Sequence, residues 1–168
     1  MRSIKSFITV LSLVIASVVA ASAQTSLTSL DGRDTDIQGQ RGKVVILAIG
    51  ASWLPLSSKQ AEYTNTLAKR YTGKNVVVYF IATDSTNAKS KNFASDADIE
   101  KFVAGSKLAV PVLRDSDGVV TLKKFNVDQL PSFVILDKDG NVSGPAFGGI
   151  DPKFDVTIPI SKSVDRLL

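Results

Sequence analysis

Two unbroken apolar segments constrain the fold of this chain more than any other feature of its sequence. They are KVVILAIG (Lys43–Gly50) and NVVVYFIATD (Asn75–Asp84). Consecutive apolar positions are typical of strands that are buried on both faces, as in parallel sheets. The segment at 57–73, between them, has apolar residues at approximately helical spacing and ends in Gly73, a common helix stop. The order strand, helix, strand therefore predicts a parallel βαβ unit with a right-handed crossover.

The segments on either side of this unit extend it to a larger α/β domain. The lead-in at 25–43 contains Asp31-Gly32, a turn signal that predicts a β-hairpin. Gly105 is expected just past the end of a second helix. The other predicted elements are that helix, which falls within the segment 96–107 and ends before Gly105, then a short strand, a turn and a short helix near 119–125, a strand-turn-strand hairpin at 131–144 and a short C-terminal helix. The late hairpin would add antiparallel strands at one edge of a mixed sheet.

The first 23 residues have the three parts of a secretory signal. MRSIK is basic, the segment at 7–20 is apolar, and a small-residue motif ends at Ala23 before Gln24. The apolar segment is shorter than the roughly 20 residues of a membrane-spanning helix. We therefore predict cleavage near Ala23/Gln24 and a domain at 24–168 in the periplasm or outside the cell, with no membrane attachment. The alternative is an uncleaved membrane anchor.

Composition excludes several kinds of chemistry, because the chain contains no cysteine and no histidine. It therefore lacks a thiol nucleophile, an imidazole base and the usual zinc ligands. The 20 basic residues are scattered among 16 acidic ones, which argues against nucleic-acid binding. DSDG (Asp115–Gly118) and DKDG (Asp137–Gly140) predict β-turns; a calcium loop from Asp137 would need glycine where Val142 stands. No metal site and no cofactor are predicted.

Four segments, taken in order, resemble the exported TlpA- and ResA-like branch of the thioredoxin superfamily. They are LDGRDTDIQGQRGKVVILAIGASW (30–53), VVVYFIATD (76–84), VPVLRDSDG (110–118) and LPSFVILDKDGNV (130–142). The resemblance implies a thioredoxin-like three-layer α/β fold: a central mixed sheet with parallel βαβ units, helices on both faces and a C-terminal antiparallel hairpin. It also implies descent from thiol-disulfide oxidoreductases, whose first core strand leads into Trp-Cys-Pro-x-Cys.

The chain departs from that family at the reactive residues, since the matching segment reads WLPLS (53–57). Leu54 occupies the attacking cysteine position and Ser57 the resolving one. Gln60 stands where many members have a glutamate that assists proton transfer. Thiol-disulfide exchange requires a sulfur nucleophile, and neither Leu54 nor Ser57 provides one. We therefore predict no catalytic residue and a redox-inactive protein, in which Ser57 is expected to cap the following helix.

The resemblance also implies a binding surface opposite the former active-site turn. Pro131 matches the family's cis proline, and the residue before it, Leu130, would pair its backbone with an extended client segment. The predicted binding residues are Trp53, Leu54, Pro55, Leu56, Leu130 and Pro131. Trp53 could be an exposed platform or a packing residue, and the leucines could form a contact patch or close the old site.

Three hypotheses for function follow from these residues. The first is an exported, redox-inactive binding protein for an extended polypeptide or an exported partner protein. The second is an accessory subunit that presents clients to a cysteine-bearing oxidoreductase. The third is a structural module with a closed site. A serine-lysine dyad at Ser57 and Lys59 is not favoured, because nothing in the sequence marks Lys59 as desolvated.

Overall fold

The computed structural model describes residues 25–168, so the predicted signal segment and its cleavage site at Ala23/Gln24 lie outside the described residues. The strands are β1 (Ser26–Ser29), β2 (Asp34–Asp36), β3 (Val44–Gly50), β4 (Val76–Ala82), β5 (Val112–Arg114), β6 (Ser132–Leu136) and β7 (Phe147–Gly148). The helices are α1 (Ser57–Arg70), α2 (Asp96–Ser106), α3 (Thr121–Lys124) and α4 (Thr157–Asp165). A 3-10 turn at Ser116–Gly118 precedes α3.

The strands form one seven-stranded mixed sheet in the order β2-β1-β5-β4-β3-β6-β7. The two apolar runs of the sequence are the central neighbours, paired in parallel from Val44 opposite Val76 to Gly50 opposite Ala82. Strand β5 also runs parallel to β4, whereas β1, β2, β6 and β7 pair antiparallel with their neighbours. The predicted βαβ unit and the mixed sheet are therefore confirmed.

Alternate residues of β3 face two different apolar layers. Val44, Ile46 and Ala48 pack with residues of α1, α2 and α4, including Leu67, Ile99 and Ile160. Val45, Leu47 and Ile49 pack with Phe125, Val127, Leu27 and Ile37, which belong to the α3 region and to the lead-in. Because both faces are covered, every residue of β3 is buried. This is the predicted three-layer arrangement, with the long helices on one face and the short α3 on the other.

The second helix ends later than the sequence predicts. Ser95 caps its start, since the Ser95 hydroxyl accepts from the Asp98 amide while the Asp98 carboxylate accepts from the Ser95 amide. The expectation that Gly105 lies past the C-terminus is wrong: α2 continues through Gly105 and is terminated by Lys107, in the left-handed region at φ 52°. Lysine here adopts the conformation that glycine usually supplies.

The C-terminal hairpin forms, but its returning arm is interrupted. The predicted turn at Asp137–Gly140 is confirmed, because the Gly140 amide donates to the Asp137 carbonyl at 3.0 Å. Val142 then forms a single bridge with Leu136, and pairing resumes only at β7. Gly144, at φ 83°, and Pro145, which has no amide hydrogen, separate the two stretches.

None of the helices in the described part of the chain is both long and apolar enough to cross a bilayer.

Candidate functional site

The former active-site turn, residues 51–56, connects the carboxyl end of β3 to α1. Two backbone bonds shape it: the Leu54 amide donates to the Ala51 carbonyl at 3.3 Å, and the Ser57 amide donates to the Leu54 carbonyl at 3.0 Å. The turn displays Trp53, whose surface is 51% exposed, next to the exposed Pro55. An indole at this exposure offers a flat apolar face together with one N–H donor.

Ser57 stabilises this turn from beneath and does not cap the helix. It is the first residue of α1 and is buried. The Ser57 hydroxyl donates to the backbone carbonyls of Ala51 and Leu54, the latter at 2.7 Å. The predicted N-cap role is therefore wrong: Leu56 occupies that position and makes no side-chain cap. The Ser57 hydroxyl does not cap the helix because it points back into the preceding turn and donates to the carbonyls there.

Gln60 joins three elements behind the turn. Its side chain is fully buried, and Nε2 donates to the Ile49 carbonyl at 3.0 Å and to the Ser132 carbonyl at 2.9 Å. Helix α1 is thereby tied to β3 and β6. Within residues 25–168, Oε1 has no hydrogen-bond partner; it packs against Gly50, where an added Cβ would clash with it. Gln60 therefore acts as a double donor behind the turn.

A buried carboxylate, which the sequence did not single out, also supports the turn. Asp84 follows β4 and is fully buried. Both of its oxygens lie 3.0 Å from the Ser52 amide, and the Ser52 hydroxyl donates to Oδ1 at 2.5 Å. Ser52 immediately precedes Trp53, so this clamp fixes the residue that presents the indole. One feature of the sequence could have indicated the role of Asp84, which is that a charged residue stands at the end of an apolar segment.

We expect Asp84→Ala to lower the free energy of unfolding by about 2–3 kcal/mol, because the charge-assisted bonds to Ser52 are lost and its amide is left without an acceptor. Urea denaturation followed by circular dichroism measures the change. Asp128→Ala is the matched control, since Asp128 is exposed and should change stability by at most about 0.5 kcal/mol. Equal effects of the two substitutions would contradict a clamping role for Asp84.

The Pro131 loop ends beside the carboxyl end of β3, because Ser132 pairs with Ile49 in the sheet. The Leu130-Pro131 peptide bond is cis, which confirms that prediction. Leu130 is half-buried against the layer containing Phe125, and Pro131 is buried. Within the described residues Leu130 makes no backbone-to-backbone hydrogen bond, so its peptide groups are not committed to the sheet.

The two leucines of the turn are both half-buried. Leu56 packs against the apolar layer formed with α1 and α4. Neither leucine covers Trp53 to the point of burial, so the indole faces solvent, whereas Pro131 is buried.

The side chains around this turn are not arranged for acid–base catalysis or for metal binding. The Lys59 ammonium bonds to the Glu62 carboxylate at 2.9 Å, and this bond raises the pKa of Lys59. Lys59 is therefore a protonated cation and not a base for Ser57, whose hydroxyl is already engaged. Residues 25–168 contain no group of three or more acidic, cysteine or histidine side chains placed to bind a metal ion.

Comparison with known proteins agrees with the fold of the chain. The model of the Redoxin family matches residues 16–153. The chain belongs to the Redoxin family. It is 31% identical over 116 residues to the thiol-disulfide oxidoreductase ResA of Bacillus thuringiensis subsp. konkukian (strain 97-27), a match that covers 69% of this chain and 61% of that protein. The chain thus spans about three fifths of the length of the ResA proteins that it matches.

Two solved structures show how closely this Redoxin family member follows the thioredoxin fold. The pneumococcal exposed lipoprotein thioredoxin Etrx1 of Streptococcus pneumoniae strain TIGR4 superposes with a TM-score of 0.67 at 26% identity, covering 86% of this chain and 100% of that one. DsbF from MTB superposes with a TM-score of 0.68 at 23% identity, covering 86% and 96%. The resemblance to the ResA-like branch of the thioredoxin superfamily is confirmed.

Proposed function

We propose that this chain is a redox-inactive Redoxin-family protein that binds extended polypeptide at the former active-site turn. One observation carries the proposal: the turn is held in place and presents a half-exposed Trp53, although the chain contains no cysteine. Ser52, Asp84 and Ser57 supply the hydrogen bonds that hold it. A turn kept in shape without its thiols retains the ability to bind but not the ability to exchange disulfides.

The binding mode follows from the groups beside the turn. An extended segment that adds to Leu130 through backbone hydrogen bonds needs no side-chain chemistry from its receptor. Trp53, Leu54, Pro55 and Leu56 would contact the apolar side chains of that segment from the opposite side. Aromatic anchors such as Trp53 commonly contribute most to such interfaces. In this mode the protein is not an enzyme and needs neither cofactor nor metal.

Export is part of the same proposal. The N-terminal 23 residues have the composition of a secretory signal, and Etrx1 is described as an exposed lipoprotein. We place the domain at 24–168 in the periplasm or outside the cell, where unfolded or extended exported proteins would be its ligands.

A closed structural module would bury both Trp53 and Pro131. Pro131 is buried, but Trp53 is half-exposed, so closure by Leu54 and Leu56 is incomplete and binding at Trp53 is the better supported hypothesis. An accessory role beside a cysteine-bearing oxidoreductase would use the same surface. It differs in one measurable respect, which is co-purification with an exported thiol protein.

Titration with an unfolded, cysteine-free polypeptide should shift the fluorescence of Trp53, the only tryptophan of the chain, in a saturable way. Replacing Leu130-Pro131 with Gly-Gly should weaken binding on the order of tenfold, because the paired backbone edge loses its fixed geometry. The matched control is Ile158→Ser, an exposed residue of α4. A titration without any shift, or a shift that Gly-Gly leaves unchanged, would contradict the proposal.

A further inference from the structure

We infer that the groove between α1 and α4 is a second binding site, which takes a small organic anion with an apolar body and a carboxylate or phosphate head. This α1/α4 groove lies apart from the former active-site turn. Thr66, which lines it, is nine residues further along α1 than Ser57, or about 14 Å at 1.5 Å per residue. A ligand in the groove and a polypeptide at the turn would therefore occupy different surfaces.

The groove has the size of a small-molecule site. It is a cavity of about 560 Å³ between the C-terminal half of α1 and the whole of α4, and such sites commonly measure about 300–1,000 Å³. Two bonds hold the helices together at one end of it. The Asp165 carboxylate accepts from the Arg70 guanidinium at 2.9 Å and from the Tyr71 hydroxyl at 2.9 Å. The cavity is therefore formed before any ligand enters.

A buried hydroxyl without a protein partner lines this groove. Ser161, in the middle of α4, is only 6% exposed. Its carbonyl accepts from the Tyr71 hydroxyl at 3.2 Å, whereas its own hydroxyl forms no hydrogen bond with any described residue. A polar group at this depth takes its partner from water or from a ligand. An oxyanion, which accepts hydrogen bonds and donates none, suits Ser161 as a donor.

The charged side chains that line the groove leave a net charge of +2, since three are cations and one is an anion. The cations are Arg70, Lys162 and Arg166, and the anion is Asp165. Hydrogen bonds from Tyr71 and Arg70 lower the pKa of Asp165, so this carboxylate is ionised and cancels one of the three positive charges. Lys162 and Arg166 form no ion pair within residues 25–168.

Charged residues next to the lining do not reverse this sign. Lys59 and Glu62 form an ion pair on α1 and cancel each other. Asp155, just before α4, keeps its charge although it accepts from Thr157. It is outnumbered by Lys69 and Lys74, which stand at the end of α1. The surroundings therefore add positive charge to that of the groove.

The ends of the helices decide where in the groove an anion is best placed. Both helices end here, and the C-terminus of a helix carries partial negative charge. Past α4, the main-chain oxygen of Leu168 already accepts from the Lys138 ammonium at 2.8 Å. We therefore expect the anion about one turn before the end of α4, at Ser161 and Lys162, and not beside Asp165.

Apolar surface in the same groove accounts for the second part of the ligand. Ile158 is 66% exposed and stands one turn before Lys162 on α4. Leu67 lines the groove from α1, and the methylene groups of Lys162 add to this surface. An apolar ring could cover Ile158 while the oxyanion meets Ser161. An inorganic anion lacks the first contact, and a cationic ligand would be repelled.

Four small probes test this inference in the folded protein. Phenyl phosphate and benzoate have both the ring and an anionic head, inorganic phosphate lacks the ring, and benzylammonium has the opposite charge. We expect phenyl phosphate and benzoate to shift the amide NMR signals of residues 157–166 in a saturable way. Inorganic phosphate should bind about tenfold more weakly, because it buries no apolar surface, and benzylammonium should not bind. The affinities of the two anionic probes tell a phosphate head from a carboxylate head.

Variants assign the binding to named side chains. Lys162→Gln with Arg166→Gln removes the two unpaired charges and should weaken phenyl phosphate about five- to tenfold. Ser161→Ala should weaken it about threefold, since one hydrogen bond is lost. Lys89→Gln with Lys123→Gln is the matched control, because it removes the same charge from exposed positions elsewhere, and it should change the affinity less than about twofold. Circular dichroism checks that each variant is folded.

The outcomes that would overturn the inference are distinct from those that bear on the turn. Phenyl phosphate and benzoate without saturable shifts at 157–166 would overturn it, and so would equal weakening in the Lys89 and Lys123 control. Benzylammonium that binds as tightly as benzoate would exclude recognition of the anion, and an unchanged affinity in Ser161→Ala would exclude the hydroxyl. The Gly-Gly replacement of Leu130-Pro131 should leave phenyl phosphate binding unchanged, so failure of the proposed function is seen separately.

Discussion

Replacing Gln60 with glutamate is expected to destabilise the protein by about 3–4 kcal/mol at pH 7. The Gln60 amide donates to the carbonyls of Ile49 and Ser132 in a fully buried position, and a carboxylate cannot donate. Burial would raise the pKa of the introduced carboxyl above its unfolded value of about 4.3. Each pH unit between these two pKa values costs about 1.4 kcal/mol, so the loss grows as the pH rises above about 4.

The pH dependence makes this prediction specific. Below about pH 4 both the folded and unfolded states are protonated, and only about 1 kcal/mol should be lost, because a carboxylic acid donates one bond where the amide donates two. Gln60→Met should give a loss that does not vary with pH. Gln129→Glu, at an exposed position, is the control for added charge. Urea denaturation between pH 4 and 8 tests all three, and a pH-independent loss in Gln60→Glu would refute the buried-donor role.

The double substitution Leu54→Cys with Ser57→Cys is expected to form an intramolecular disulfide and to confer insulin-reducing activity on a chain that now lacks any thiol. Ser57 begins α1 and Leu54 lies three residues before it, in the turn. The unpaired amides and the dipole at the start of a helix stabilise a thiolate, which lowers the pKa of a cysteine placed there. Thiol titration under oxidising and reducing conditions, followed by an insulin-reduction assay, measures the result.

The single substitutions are the matched controls for this experiment. Leu54→Cys alone provides a half-exposed thiol without a resolving partner, and Ser57→Cys alone provides a buried thiol. Neither should show turnover. If the double variant retains two free thiols under oxidising conditions while remaining folded, the alignment of these two positions with the family's cysteines is wrong.

Two of the residues that the resemblance assigns to the family's reactive positions, Ser57 and Gln60, support the turn structurally. Ser57 bonds to the carbonyls of the turn, and Gln60 connects α1 to β3 and β6. The turn therefore keeps its shape through the bonds of Ser57 and Gln60, together with the bonds of Ser52 to the Asp84 carboxylate. This explains how a chain without cysteine can retain an exposed Trp53 in a fixed position.

Most of the fold could be predicted from local patterns. The apolar runs of β3 and β4, the turn glycines and the helix between them indicate a buried parallel pair from sequence order alone. The loss of the two cysteines could also be predicted from the sequence, because Leu54 and Ser57 stand at the cysteine positions of the family motif. The end of α2 was predicted incorrectly, because nothing in the sequence indicates that Lys107 adopts the left-handed backbone conformation that ends the helix.

The residues that support the turn could not be predicted in the same way. Asp84 bonds to a partner 32 residues away, and Gln60 reaches Ser132 across 72 residues. Such pairs depend on the parallel register of β3 with β4 and the antiparallel register of β3 with β6. Nothing local to either residue indicates its partner.

The sequence by itself determined the buried strands and the lack of any thiol, because apolar continuity and the absence of cysteine are properties of composition and order. Only the tertiary structure decided that Trp53 is exposed, that Ser57 faces the turn and that Asp84 holds Ser52. Exposure and hydrogen bonding depend on which distant segments the sheet brings within about 3 Å of one another.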